Sequence, residues 1–129
     1  MPSIDVAVPC YQYGRFLREC VTSITRQDVD GLRVLVIDNG STDDSLAVAR
    51  DLAAADARVE ILTVEENRGA NWSYNAGIDW ASADYFLLVD ADAMLAPGSL
   101  RRALDVLASC PRLTFCFGAE ARLYEDGTI

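Results

Sequence analysis

Two carboxylates two residues apart, Asp90 and Asp92, follow directly on the apolar run Tyr85 to Val89. Along an extended backbone, residues i and i+2 project the same way, so these two groups converge. Converging carboxylates repel one another unless a cation or a donor lies between them. Hard divalent cations such as Mg²⁺ or Mn²⁺ accept such oxygens and complete their shell with substrate phosphates. The simpler use of Asp90-Ala91-Asp92 is to cap a turn.

Three further clusters also stand just after apolar runs. Asp38 precedes Asn39-Gly40, and a carboxylate there can accept hydrogen bonds from a nucleobase imide or a ribose hydroxyl. The Ser41, Thr42, Asp43 and Asp44 that follow are good caps for a helix and favour its positive end. Arg68 and Gly69 form the third cluster. The guanidinium suits a diphosphate, and free N–H groups at a helix start can receive phosphate. The alternative is a surface arginine beside a helix-start glycine. In the fourth, Pro9-Cys10-Tyr11, the proline fixes the exit direction and the tyrosine offers a flat ring. That tyrosine can equally be a partly buried loop residue.

The elements that must position these groups alternate. Ser3 to Val8, Leu32 to Ile37, Val59 to Val64 and Tyr85 to Val89 read as strands, the last buried on both faces. Between them, Phe16, Leu17, Cys20, Val21 and Ile24 recur at helical spacing, as do Leu46, Ala49, Leu52 and Ala53. Trp72, Ala76 and Trp80 mark a third helix over 70–81, and Leu100, Ala103, Leu104 and Leu107 a fourth. Leu113 to Phe117 reads as a fifth strand and Arg122 to Tyr124 as a sixth, closed by a turn at Asp126-Gly127. This alternation predicts an α/β fold, a doubly wound, mostly parallel sheet in three α/β/α layers. Ligands bind such sheets at the C-terminal strand edge, where strand order reverses. All four clusters belong to that edge.

Composition narrows the chemistry. The chain has 129 residues, enough for one domain with a real core. It has 11 basic and 20 acidic residues and a net charge of −9, which disfavours nucleic acid and anionic membrane surfaces. There is no histidine, so Ser-His-Asp triads and His-ligated zinc are excluded. Every basic residue is arginine, which removes a P-loop lysine, Schiff-base chemistry and the lysine that a receiver-like signalling domain needs. No Gly-x-Gly-x-x-Gly occurs, against a nicotinamide or flavin site. The four cysteines have neither metal-ligand nor redox-pair spacing. They read mostly as small core residues, reduced, in a cytoplasmic protein without a secretory signal or integral membrane segment.

Four stretches, VPCYQYGRFLRECVTSITRQ, VLVIDNGSTDDSL, NRGANWSYNAGIDWASADYFLLVDAD and APGSL, stand in this order. Together they resemble the front half of a glycosyltransferase family 2 enzyme of the GT-A fold, Rossmann-like in its winding. The resemblance implies a nucleoside-diphosphate sugar as donor, with uridine the expected base, and Mg²⁺ or Mn²⁺ as cofactor. By the same resemblance, Pro9 and Tyr11 would line the nucleotide pocket and Asp38 would hold the base. Arg68 would approach the base or diphosphate, Asp90 the ribose or metal, and Asp92 would carry the metal, with Ala91 between them. Asn75 and Gly77 match the family's third-helix pattern, where packing is expected more than ligand contact.

The family's catalytic base normally stands well downstream of Asp-x-Asp, often marked Glu-Asp. Glu125-Asp126 come soon after Asp92 and just before Gly127, and read as hairpin residues. The expectation is therefore a single donor-binding domain over residues 1–129 without the acceptor half, its catalytic residue unassigned and its turnover open. The rival reading is a non-catalytic nucleotide-sugar-binding module that works through a partner chain. In either case an open C-terminal sheet edge would favour a second copy or a partner.

Overall fold

The computed structural model describes residues 2–129. Four strands, β1 (Ile4–Cys10), β2 (Leu32–Asn39), β3 (Val59–Val64) and β4 (Tyr85–Leu88), form one sheet in the order β3-β2-β1-β4. Every pairing is parallel. Helices α1 (Gly14–Thr25), α2 (Ser45–Ala55), α3 (Ala70–Trp80) and α4 (Ser99–Ser109) alternate with the strands.

Strand periodicity divides the core into two layers. Val6 and Val8 of β1, with Val34 and Val36 of β2, pack with Leu17, Cys20 and Ile24 of α1, Ala49 of α2 and Leu104 of α4. The alternate residues Ala7, Leu35 and Ile37 face Trp72, Ala76 and Trp80 of α3. The chain runs outward from β1 to β3 under α1 and α2. It then crosses the opposite face through α3 to reach β4 on the other side of β1. Strand order therefore reverses at β1, which opens a crevice beyond the C-terminal ends.

Gly77 sets how closely α3 lies on the sheet. A Cβ there would stand 2.8 Å from the Ala7 Cβ. Gly77 thus has the packing role that the third-helix resemblance implied, whereas Asn75 is exposed.

β1 runs two residues further than the apolar run suggests, through Pro9 and Cys10. The Val89 N–H donates to the Ala7 carbonyl at 3.0 Å, so odd-numbered groups of β1 face β4. β4 pairs only as far as Ala7, so the donor that Pro9 lacks has no ladder partner to lose. β2 likewise continues through Asp38 and Asn39, which makes them the last strand residues.

The fifth and sixth strands are not formed. Residues 113–124 have no regular structure, and Phe115 and Phe117 are exposed. An apolar alternating run becomes a strand only when a ladder partner receives it, and this segment instead runs beside α4. There the Cys116 thiol reaches the Ala103 carbonyl at 3.8 Å. β4 is consequently an edge strand, half-buried with Leu88 exposed, not buried on both faces. The turn at Asp126-Gly127 is present: Tyr124 and Thr128 pair across it, and the Asp126 carboxylate accepts from the Thr128 N–H and hydroxyl.

All four cysteines are free; Cys10 and Cys20 are buried, whereas Cys110 and Cys116 are only half-buried. Among the described residues, no helix is long and apolar enough to cross a membrane.

Candidate functional site

A cleft of about 370 Å³ opens at the C-terminal edge of the sheet, a volume within the range of small-ligand sites. Pro9, Cys10 and Tyr11 line one side, Asp90, Ala91 and Asp92 another, and Asn39, Asn67 and Ala70 a third. The sequence clusters at the ends of β1, β2, β4 and the start of α3 are thus brought to one place.

Asp38 is not on the cleft wall. It is 2% exposed. Its Oδ2 accepts a hydrogen bond from the Thr63 hydroxyl at 3.1 Å. Its Oδ1 is buried with no partner, an unusual state for a carboxylate oxygen. Arg68 is also off the wall, with its guanidinium over the Trp72 ring at 5.2 Å.

Asn39 is the residue the four clusters did not single out. Its Oδ1 accepts from the Arg68 N–H at 2.9 Å, and its Nδ2 donates to the Gly69 carbonyl at 3.0 Å. The Asn67 Oδ1 accepts from the Gly69 N–H at 2.7 Å. These bonds fold the chain around Arg68 and aim the start of α3 at the cleft. Gly40 lets the two loops touch: its φ is +75°, and a Cβ would lie 2.5 Å from the Asn67 nitrogen. Tyr13, Ser73 and Tyr74 also line the cleft. Ser73 and Tyr74 carry no motif signal, because only the docking of α3 turns them inward.

The loop carrying Tyr11 is held by Gln12, the one non-glycine residue with positive φ among the described residues, at 59°. Its backbone N–H donates to the Ser41 hydroxyl at 3.1 Å. Beside it, the Asp43 carboxylate accepts from the Gly14 N–H and the Ser45 N–H, each at 3.0 Å, and from the Ser45 hydroxyl. One acid thus serves the starts of both α1 and α2. Burial would raise the Asp43 pKa, but the Ser45 and Gly14 bonds outweigh it and hold the group below the usual range. Asp44, the other expected cap, makes no capping bond.

Asp90 and Asp92 are both exposed at the cleft, and neither forms an ion pair among the described residues. They stand in a turn closed by the Ala93 N–H on the Asp90 carbonyl at 2.9 Å, not on the extended backbone expected, because β4 ends at Leu88. No group of three or more potential ligands gathers anywhere in those residues. Two free carboxylates are too few for an all-protein cage. They fit a hard cation that takes its other ligands from a bound phosphate and water.

An all-parallel, three-layer domain with its cleft at the reversal of strand order is the GT-A, Rossmann-like arrangement. A mannosyltransferase from Pyrobaculum calidifontis, solved with GDP-Man and Mn²⁺, superposes with a TM-score of 0.76 at 28% identity, over 83% of this chain and 32% of that one. S. aureus TarS 1–349, solved with UDP-GlcNAc, shares the fold with a TM-score of 0.76 at 24% identity, over 83% of this chain and 31% of that one. The sequence model described as glycosyl transferase family 2 matches residues 5–128, and the chain belongs to that family. Glycosyltransferase GlyG of Streptococcus pneumoniae is 37% identical over 69% of this chain and 30% of its own length. An N-acetylglucosaminyltransferase of Rhizobium sp. is 38% identical over 78% of this chain and 23% of its own length. The chain thus spans only about a quarter to a third of these two relatives.

Proposed function

We propose that this chain is the donor-binding domain of a family 2 glycosyltransferase, taking a nucleoside-diphosphate sugar, with a UDP-sugar as the expected donor. The observation that carries this reading is the pair of free carboxylates, Asp90 and Asp92, on one cleft wall, with the orphan oxygen of buried Asp38 at the end of β2 beside it. An imide N–H of the base would satisfy the Asp38 Oδ1, while Pro9 and Tyr11 would flank the ring. Arg68 would move off Trp72 toward the diphosphate. The GDP-Man and Mn²⁺ held by the Pyrobaculum mannosyltransferase support the ligand class.

Asp92, with Asp90 and the Ala91 backbone between them, would hold Mg²⁺ or Mn²⁺ against the diphosphate. Such a cation neutralises the charge that develops on a departing nucleoside diphosphate. In the transfer itself, an acceptor hydroxyl oxygen bonds to the sugar's anomeric carbon as the bond to the phosphate oxygen breaks. An inverting course needs a carboxylate base for the hydroxyl proton. Asp126 is engaged by Thr128 in its turn and does not suit that role. We therefore assign donor binding, and not the acceptor base, to the residues of this cleft.

A binding module acting with a second copy or a partner chain is the second reading. It is favoured by the open edge of β4 and by Phe115 and Phe117, exposed at 72% and 90%. A clean monomer by light scattering at high concentration would count against it. The four free thiols support a reducing, cytoplasmic setting.

The test is thermal unfolding with a panel of nucleoside diphosphates, with and without Mn²⁺, on the wild type and Asp92→Ala. A ligand at a hundred times its dissociation constant stabilises by about 2.7 kcal/mol. A Mn²⁺-dependent shift with UDP, lost in Asp92→Ala, is expected. No shift with any nucleotide would overturn the donor-site reading.

A further inference from the structure

The loop that follows Asp90 has little structure of its own. Its backbone makes two turn bonds, Ala93 N–H to the Asp90 carbonyl at 2.9 Å and Ser99 N–H to the Ala96 carbonyl at 3.1 Å. Arg102 of α4 donates to the Pro97 carbonyl at 3.2 Å, and the anchors nearer Asp90 and Asp92 come from α1 and the turn just after it. The Cys20 thiol donates to the Asp90 carbonyl at 3.4 Å. The Ser23 hydroxyl accepts from the Leu95 N–H at 3.0 Å and donates to the Cys20 carbonyl at 2.6 Å. The Gln27 amide, 5% exposed, donates to the Ser23 and Ala96 carbonyls at 3.0 Å each and accepts from the Leu100 N–H at 3.1 Å.

From these contacts we infer that Cys20, Ser23 and Gln27 are positioning residues for the Asp90–Asp92 carboxylates, holding the loop in the shape that lets both meet one cation. Cys20 and Ser23 are one turn apart on α1, and Gln27 extends their line past its end. Together they grip the loop at its first residue, at its middle and where it enters α4. Asp92 lies between the first two grips with its own side chain free. The inference rests on the donor-site reading above. It adds that cation affinity is set from α1, by residues that contact neither cation nor nucleotide.

The experiment measures Mn²⁺ affinity by electron paramagnetic resonance, with UDP or GDP present, on the 129-residue chain. Ser23→Ala and Gln27→Met each remove loop bonds with little change of volume, and Ser23→Thr restores the hydroxyl. The affinity of UDP or GDP in EDTA is measured alongside. We expect Ser23→Ala and Gln27→Met to weaken Mn²⁺ binding about tenfold, the scale of outer-shell effects on metal sites. Metal-free nucleotide affinity should stay within twofold, and Ser23→Thr should regain most of the loss.

Unchanged Mn²⁺ affinity in folded variants would overturn the inference alone. So would an equal loss of metal-free nucleotide binding, because that would be general loosening. Absence of Mn²⁺ binding by the wild type would overturn the donor-site reading and the inference with it. If Gln27→Met does not fold, the Ser23 pair decides.

Discussion

Gln12 grips Thr42 from two sides. Its Oε1 accepts from the Thr42 N–H at 2.9 Å, and its Nε2 donates to the Thr42 hydroxyl at 2.7 Å. The same Oε1 accepts from the Asp43 N–H at 3.1 Å. The loops after β1 and β2 are thereby joined beside Tyr11, at the cost of a left-handed backbone at Gln12. Gln12→Ala loses the grip and keeps the strain, whereas Gln12→Gly loses the grip and relieves the strain. The glycine variant should be the more stable of the two by about 1 kcal/mol. Urea midpoints compare them, and the reverse order would mean that Gln12 is not left-handed in solution.

Asp38 should behave as a residue kept for binding and not for stability. Its Oδ1 has no partner and its Oδ2 bonds only the Thr63 hydroxyl, which is exposed and can turn to water, so an apolar side chain of similar size is close to neutral for folding. Asp38→Leu should therefore unfold at or above the wild-type temperature. It should also lose at least about tenfold in UDP affinity, since each 1.4 kcal/mol of lost interaction is a factor of ten. A large drop in unfolding temperature would make Asp38 a structural residue.

Gly77→Ala sets two effects against each other. Alanine gains about 1 kcal/mol of helix propensity over glycine. Its methyl group would meet Ala7 of the central strand β1 at 2.8 Å, where neither backbone is free to move aside. Overpacking of this kind costs about 1–3 kcal/mol, so a net loss of up to about 2 kcal/mol is expected. Thermal unfolding measures it, and a stabilised variant would show that α3 sits further from the sheet.

Acid should unfold the chain partly through Asp5. Burial alone would push this carboxyl up. The hydrogen bonds from Arg33, Ser82 and Ala83, with the Arg33 charge, outweigh that and hold it below the usual range. Asp56 is held at about 2 by its bonds from Arg58. A carboxyl lowered in the folded state adds stability that is full above its unfolded pKa of 3.8 and is lost as pH falls through the folded value. Stability should thus fall from about pH 4 downward. Asp5→Asn should cost about 1–2 kcal/mol near neutral pH, because Arg33 is 41% exposed and keeps water and Glu60 as partners, and the variant should fall less steeply in acid. An equally steep acid profile in the variant would place the titrating groups elsewhere.

Thiol labelling should divide the cysteines by depth. Cys20 is pushed up to about 12 by burial first, with Cys10, Asp92 and Asp90 adding to it, and burial also raises Cys10. Mass spectrometry after iodoacetamide at mildly alkaline pH should find Cys110 and Cys116 labelled in the folded chain. Cys10 and Cys20 should label only after unfolding. Early labelling of Cys20 would show that the contact between α1 and the Asp90 loop opens readily.

The sequence by itself determined the four strand–helix units, because Val, Ile and Leu at period two and apolar residues at period 3.6 are local properties. It also placed Asp38, Arg68, Asp90 and Asp92 at one sheet edge, because parallel strands end on a common side. Tertiary structure alone decided whether an apolar run finds a ladder partner. Leu113 to Phe117 finds none, and β4 is left as an edge. It alone decided that Asp38 lies buried and that Asn39 shapes the turn around Arg68. The grips of Gln12 on Thr42 and of Gln27 on Ala96 and Leu100 belong with these. A glutamine carries no periodic signal, and its amide finds partners 30 and 73 residues away only after α1 has docked on the sheet.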